Sequence, residues 1–448
     1  MVRAAGYLVR NGRTTPQERW EELDGYSSST LASNIAALTC AATFCRERDN
    51  EATATFIEEY ADFLECRIEA LTVTTEGSLL DDVPRHSIRI NPGDPQSGED
   101  PNPAVVRIAN RRPGQQHEFR AKDIVDAGFL ELVRYGIRKA DDPFIEDSPC
   151  GRRHHQGETR HLGKRGIATT TTATGQRDDG GPFDWWGVWR LWPLLTGERG
   201  HFEFAAGSDA NPYIRAMEGF AHGVGLLPEQ VWDEADRPDQ FFAHGRPTGA
   251  AMPLMWAYAQ YIKLFRSVVD GDVFDLIPEV AERYWGRAKC KPLEVWKPNR
   301  QPRSVKRGMT LRVQSPERFL LVWTTDEWEE TSDTRSTQTR LGIEYVDIPI
   351  HADQQAPIRF TFRWVEGDRW DGRDYARGRH IVDGVRPVGS RTGISACWAI
   401  GVARLATRRA SATATGTGAS CVVLSRLDSH GLLDSPPWPF VARPSDGK

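Results

Sequence analysis

Two acidic clusters in this 448-residue chain set a carboxylate beside a tryptophan. The first is Gln17-Glu18-Arg19-Trp20-Glu21-Glu22, followed by Gly25-Tyr26-Ser27. The second is Leu226-Leu227-Pro228-Glu229-Gln230-Val231-Trp232-Asp233. An aromatic wall lowers the local dielectric and raises a carboxyl pKa, which suits a general acid at neutral pH. A second, ionised carboxylate could then activate water as a general base. Solvated acidic loops beside buried tryptophans account for the same pattern. Spacing does not decide between the two, because Glu21 and Glu229 stand 208 residues apart.

Positioning such groups is work for the elements around them. Residues 27–71 read as two helices broken at Asp49-Asn50. Ser27 to Thr30 offer N-caps, and Leu31, Ile35, Leu38 and Ala42 recur at helical spacing. Phe56, Tyr60, Phe63 and Leu71 mark the second helix. Residues 81–116, rich in Pro, Gly, Asn and Arg, read as a long loop. An amphipathic helix is expected over 122–139, and others near 190–206, 209–223, 249–267 and 276–286. In the helix over 249–267, Met252, Met255, Ala259, Ile262 and Phe265 form one apolar stripe. No strand-like alternation shows before residue 300. The first 290 residues therefore read as a helical domain with long loops, suited to a helical-hairpin array or toroid.

Beyond about residue 295 the period changes to two. Val346, Ile348 and Ile350 alternate, as do Ile358, Phe360, Phe362 and Trp364. Leu311 to Val313 and Phe319 to Trp323 are further strand candidates, so 305–375 reads as a small antiparallel β domain. Residues 376–448, rich in Arg, Ala, Thr, Gly and Ser, show little periodicity and are expected to be disordered.

Composition narrows the functional classes. A net charge of -5 gives no reason to expect nucleic-acid or anionic-membrane binding. No apolar run approaches a membrane span. The seven cysteines are odd in number and contain no CxxC pair, so neither a disulfide framework nor a zinc site is expected. No metal motif, nucleotide-binding loop or Ser/His/Asp arrangement is visible. Fifteen tryptophans are many, and they serve large cores or the stacking of sugar rings.

The chain resembles glycoside hydrolase family 15, the glucoamylases and glucodextranases. Arg19-Trp20-Glu21-Glu22 is similar to the family's general-acid loop, and Pro228-Glu229-Gln230-Val231-Trp232-Asp233 to its general-base loop in bacterial members. Gly181 to Gly187, Leu191-Trp192-Pro193-Leu194-Leu195-Thr196-Gly197-Glu198-Arg199-Gly200 and Gly245 to Leu254 resemble further stretches. The resemblance implies a mainly α fold, an (α/α)6 toroid of paired helices. It also implies an inverting mechanism in which Glu21 is the acid and Glu229 the base, with release of β-D-glucose from non-reducing ends of an α-glucan or oligosaccharide. Trp20, Glu22 and Gln230 would bind or stack glucose, and Trp192 would stack near the leaving sugar. No organic cofactor and no metal are implied by that chemistry. Linkage preference, α-1,4, α-1,6 or trehalose, is left open.

Three departures from the family accompany the resemblance. Family members carry several toroid helices and a Trp-Pro-Arg-Asp type loop ahead of the general-acid loop, and neither is present before Glu21. The toroid is thus expected to be incomplete, with seven or eight helices. Residues 150–174 match nothing in the family. Codons permissible for Arg165 to Gly175, read two bases later, give Trp-His-Arg-Tyr-Asn-His-Asp-Gly-Tyr-Gly, so an out-of-frame segment is expected there rather than a metal site at His154, His155 and His161. The tail after Tyr375 has the composition of GC-rich DNA in a wrong frame. A catalytically inactive fragment of such an enzyme is therefore the competing expectation, because catalysis needs the sugar held against both carboxylates.

Overall fold

The computed structural model describes residues 1–78, 84–93, 99–148, 176–177, 179–188, 190–286, 291–302 and 304–377. The expectations for 150–174 and for most of the 376–448 tail lie outside these residues. By contacts the chain divides into a unit over Met1–Gly384 and a second over Val385–Lys448. The second unit also lies outside the described residues.

Helix α1 (Val2–Asn11) opens the first unit, an element that periodicity did not suggest. It packs on α2 (Ser28–Arg46), which pairs with α3 (Glu51–Glu65). Alanines at 32, 36, 41, 42, 54 and 61 are buried in this pair and let the backbones approach. Leu31, Ile35, Leu38, Ile57, Tyr60 and Leu64 fill the remaining space. The helix break falls at Asp49, whose φ is +54°, as the Asp49-Asn50 break predicts. Helix α4 (Ile68–Thr72) runs into β1 (Val73–Thr74), which pairs with β2 (His86–Ser87). Strand β3 (Val105–Arg107) pairs with β4 (Glu118–Arg120). These pairs correct the reading of 81–116 as plain loop and of the region before residue 300 as free of strands. Their two- and three-residue lengths are too short to show a period.

The helix expected over 122–139 is broken. Only α5 (Glu131–Arg134) is α-helical, preceded by 3-10 turns at Ala121–Asp123 and Ala127–Leu130. The Asp126 carboxylate accepts from the Gly128 amide (2.7 Å) and so starts a new turn where a continuous helix would pass. Helix α6 (Pro143–Asp147) is capped in the same way by Asp142.

Helices α7 (Pro193–Ala205), α8 (Asn211–Phe220) and α9 (Met255–Asp270) form the next layer. At Gly200 an added Cβ would lie 2.5 Å from Leu264 Cδ2, so glycine is what lets α7 and α9 touch. Helix α10 (Pro278–Tyr284) returns to α2 and α3. Arg283 grips the Asp62 carboxylate through two nitrogens (2.8 and 2.6 Å), and the Tyr284 hydroxyl donates to it at 3.1 Å. The apolar stripe of α9 does not face the core. Met255, Ile262 and Phe265 are 71%, 54% and 46% exposed, whereas Ala257 and Leu264 are buried. The helix begins at Met255 rather than near residue 249, so Met252 lies before it, and the face that packs on α7 is the narrower one.

From residue 293 the chain forms two packed sheets. Strands β5 (Leu293–Trp296), β6 (Thr310–Ser315), β7 (Phe319–Thr324), β8 (Ser332–Arg335), β9 (Thr337–Gln338), β10 (Glu344–Pro349), β11 (Ile358–Trp364), β12 (Arg369–Trp370) and β13 (Tyr375–Arg377) follow in order. One sheet runs β5-β6-β10-β9, and the other runs β12-β11-β7-β8 with β13 also on β11. Every pairing is antiparallel except β5 on β6. Ile358, Phe360, Phe362 and Trp364 all point into the core between the sheets, as their alternation predicts. Leu293 and Val295 of β5 belong instead to the helical core with α1–α3. Arg67 joins β5 to the helices through Glu294, and Lys297 donates to the Val9 and Arg10 carbonyls (2.9 and 2.7 Å). The helices and sheets thus share buried contacts.

Among the described cysteines, Cys40 and Cys45 are free thiols, as a small residue in a helix suggests. Cys66 is disulfide-bonded, which corrects the expectation of no bridge. Cys66 is not part of a CxxC pair, so no local spacing flags it. No described helix is long and apolar enough to cross a membrane, and no described group of His, Cys, Asp and Glu is placed to hold a metal ion.

Candidate active site

The loop carrying Glu21 is tied at both ends. Thr15 and Gly25 exchange two backbone hydrogen bonds (2.8 and 3.0 Å), and Tyr26 and Asn91 exchange two more (2.8 and 3.0 Å). Gly25 is required there. Its φ is +141°, and a Cβ would stand 2.3 Å from the Asn91 carbonyl oxygen. Inside the loop the Glu21 amide donates to the Glu18 carbonyl (2.8 Å), and Gln17 Nε2 donates to the Glu21 carbonyl (3.0 Å). Glu21 adopts φ +60°, in the left-handed region that non-glycine residues seldom occupy. Such conformations persist only where neighbours over-determine them. The Glu21 side chain is exposed.

Its neighbours are held by buried charge. Arg89 lies between Glu18 (2.5 Å) and Glu22 (2.8 Å), and all three side chains are almost wholly buried. The second oxygen of Glu18 accepts from the Trp20 amide at 2.9 Å. Burial pushes the Glu22 carboxyl above its ordinary pKa, against the pull of Arg89. On the other side Arg19 binds Glu198 of α7 (2.6 Å), with Glu131 at 3.6 Å and Asp126 at 3.8 Å. The Trp20 indole donates to Asp126 (2.8 Å), and the Arg19 guanidinium lies 5.1 Å from its ring centroid. Burial raises the Glu131 carboxyl to about 7. Arg19 opposes that rise and Glu198 adds to it.

The loop carrying Glu229 threads between two other segments. Glu229 N–H donates to Ala251 (2.8 Å), Val231 N–H to Leu191 (2.9 Å) and Trp232 N–H to Arg246 (2.8 Å). Gln230 Nε2 donates to the Glu229 carboxylate at 3.1 Å. Trp232 is fully buried, stacked on Phe242 at 4.5 Å with Arg190 4.1 Å from its centroid. Glu229 is half-buried and Gln230 buried.

The two loops meet through the segment before α7. Trp20 contacts Trp192 edge to face, with centroids 5.4 Å apart. Leu191, the neighbour of Trp192, takes the Val231 hydrogen bond. Trp20, Trp192 and Leu227 share one apolar cluster with Leu194, Met217 and Ala257. Trp20, Trp192 and the Leu227–Val231 turn are thus brought together, with Glu21 and Glu229 beside them in sequence. Glu22 turns instead to Arg89 and to Asn110, whose Nδ2 donates to it at 3.3 Å. Sequence reasoning missed Arg89, Asp126, Glu131 and Glu198. Each sits in a stretch whose local pattern says loop or helix, and only the fold sets them beside the acidic loop.

Comparisons with known proteins give the following likenesses. The profile of Glycosyl hydrolases family 15 matches residues 3–176. A glucoamylase of Clostridium sp. (strain G0005) is 38% identical over 292 residues, 62% of this chain and 37% of that protein. The crystal structure of a bacterial glucoamylase complexed with acarbose superposes with a TM-score of 0.51 at 36% identity, over 63% of this chain and 39% of the other. The chain therefore spans about two fifths of the length of these relatives. The matches in sequence and in structure agree, and both make the chain similar to glycosyl hydrolase family 15 over the part that they cover.

Proposed function

We propose that the site is the acid–base centre of an exo-acting, inverting glycoside hydrolase that releases β-D-glucose from non-reducing ends of α-glucans. Its preferred linkage is α-1,4, with α-1,6 bonds or trehalose as the variants a test should include. Glu21 protonates the glycosidic oxygen and Glu229 activates water on the opposite face of the sugar. Trp20 walls the leaving sugar with the buried Trp192 packed against it, while Glu22, turned to Arg89, and the buried Gln230 hold the two loops in place rather than reach hydroxyls. The helices of residues 1–290 form part of an (α/α)6 ring, and 305–375 form an appended β domain. The observation that supports this reading is the meeting of the two acidic loops across Trp20, Trp192 and Leu191. The relative solved with acarbose, an oligosaccharide analogue, supports the substrate class.

Inversion needs the two carboxyls about 6.5–9.5 Å apart, so that one water fits between base and anomeric carbon. The buried arginine clusters on either side of Trp20 fix the loop before substrate arrives, so that its ordering is not charged to the transition state. The test is the anomeric form of glucose freed from maltotriose, read by proton NMR. β-Glucose should appear first, and Glu21→Gln and Glu229→Gln should each abolish it. Early α-glucose, or full activity in Glu21→Gln, would overturn the assignment.

A second reading, a catalytically inactive relative of these enzymes, is favoured by the exposed apolar stripe on α9. It predicts calorimetric binding of acarbose without glucose release by the unmodified chain.

A further inference from the structure

The outer face of the five-stranded sheet is unlike a plain solvated surface. On β11 the even residues are buried, so Arg359, Thr361 and Arg363 point outward. In register, Arg363 pairs with Trp370 of β12 and with Leu320 of β7, and Thr361 pairs with Val322. Trp370 is 57% exposed, and its ring lies 5.9 Å from the Arg363 guanidinium. Four residues along the strand, the Arg359 guanidinium lies 6.0 Å from the half-exposed ring of Trp328. The Trp328 indole donates to Asp374 at 3.4 Å. Trp328 and Glu327 both adopt left-handed backbone, with φ +77° and +63°.

We propose that this face is a second carbohydrate-binding surface, on which an α-glucan chain lies from Trp370 across Thr361 to Trp328. Four strand residues span about 13 Å, room for a short run of sugar rings. The ring faces can meet the C–H surfaces of pyranose rings, whose partial positive charge suits the negative face of an indole. The arginines and carboxylates between them offer donors and acceptors for hydroxyls. Charge selects the ligand class. Arg359 is paired with Glu327 (2.7 Å) and with Asp374, and Arg363 with Asp368 (2.7 Å). A face whose positive charges are already balanced suits a neutral, hydroxyl-rich chain rather than phosphate or nucleic acid. The choice of an α-glucan among such chains rests on the hydrolase reading.

The test is native gel electrophoresis of the full chain through soluble starch, with a polysaccharide-free gel as reference. Saturating acarbose is added to occupy the acid–base site. The wild type should be retarded by starch with or without acarbose. Trp370→Ala and Trp328→Ala should each weaken retardation roughly tenfold, as expected for loss of a central aromatic anchor, and Trp370→Phe should keep part of it. Glu21→Gln should be retarded like the wild type even where glucose release is lost, which separates failure of the hydrolase reading from failure of this one. Absence of retardation in the wild type, or unchanged retardation in the Trp370→Ala/Trp328→Ala double variant, overturns the proposal. So does retardation that acarbose abolishes.

Discussion

Replacing Arg89 by methionine tests whether buried charge holds the acidic loop. The substitution keeps the volume of the stem and removes the guanidinium between Glu18 and Glu22. Two carboxylates are then left facing one another at sites only a few per cent exposed. Breaking a buried pair by deleting one partner costs about 3–5 kcal/mol, because an uncompensated charge remains. Relief comes by protonation. Burial already raises the Glu22 pKa in the folded chain, and Arg89 is what opposes the rise. Without Arg89 the folded pKa climbs further, so the folded state holds a proton that the unfolded chain has released. Stability then falls as pH rises through that folded pKa. Urea unfolding at pH 7 should show the variant less stable by about 3–5 kcal/mol, and at pH 5 the deficit should shrink. Adding Glu18→Gln and Glu22→Gln should restore most of the loss, since neutral groups need no counter-charge. A deficit below about 1 kcal/mol at pH 7, the range of an exposed ion pair, would refute the reasoning. A deficit independent of pH would do the same.

Glu131 is raised to about 7 from 4.5 by burial, so its stabilising contribution is present at acid pH and is lost as pH rises through about 7. Over that window the wild type should lose about 3 kcal/mol that Glu131→Gln does not, and parallel urea curves for the two at pH 5 and pH 8 would contradict this. Gly25→Ala forces a Cβ to 2.3 Å from the Asn91 oxygen at a left-handed φ, and should cost about 1–3 kcal/mol in thermal melts while weakening acarbose binding. Trp232→Ala empties a fully buried site stacked on Phe242 and should cost about 3–5 kcal/mol; a melt within error of the wild type would show that the site collapses freely.

Helices with strong apolar period were legible from residue order alone. Helix α2 begins and ends, and α3 begins, within a few residues of the signals at Ser27 and Asp49, because a buried helix face repeats every three to four residues; the second helix, read through to Leu71, instead ends at Glu65 and α4 follows from Ile68. The strands β10 and β11 were legible for the corresponding reason, a period of two over six or seven residues, whereas β6 and β7 showed only as short apolar runs. The pairs β1–β2 and β3–β4 were not, since two or three residues carry no period. The α9 stripe shows a different limit. Periodicity says that a face is apolar, not that anything covers it.

By itself the sequence showed the family resemblance and singled out Glu21 and Glu229 as candidates, because Trp20-Glu21-Glu22 and Glu229-Gln230-Val231-Trp232 are contiguous stretches whose likeness needs no fold to recognise. What only the tertiary structure decided is the company these stretches keep. Arg89 between Glu18 and Glu22, Arg19 against Glu198, and Trp20 against Trp192 are pairings between residues up to 179 positions apart. A short-range electrostatic or ring contact depends on distance in space, and distance in space is not written in local residue order. It emerges once helix and loop backbones are packed.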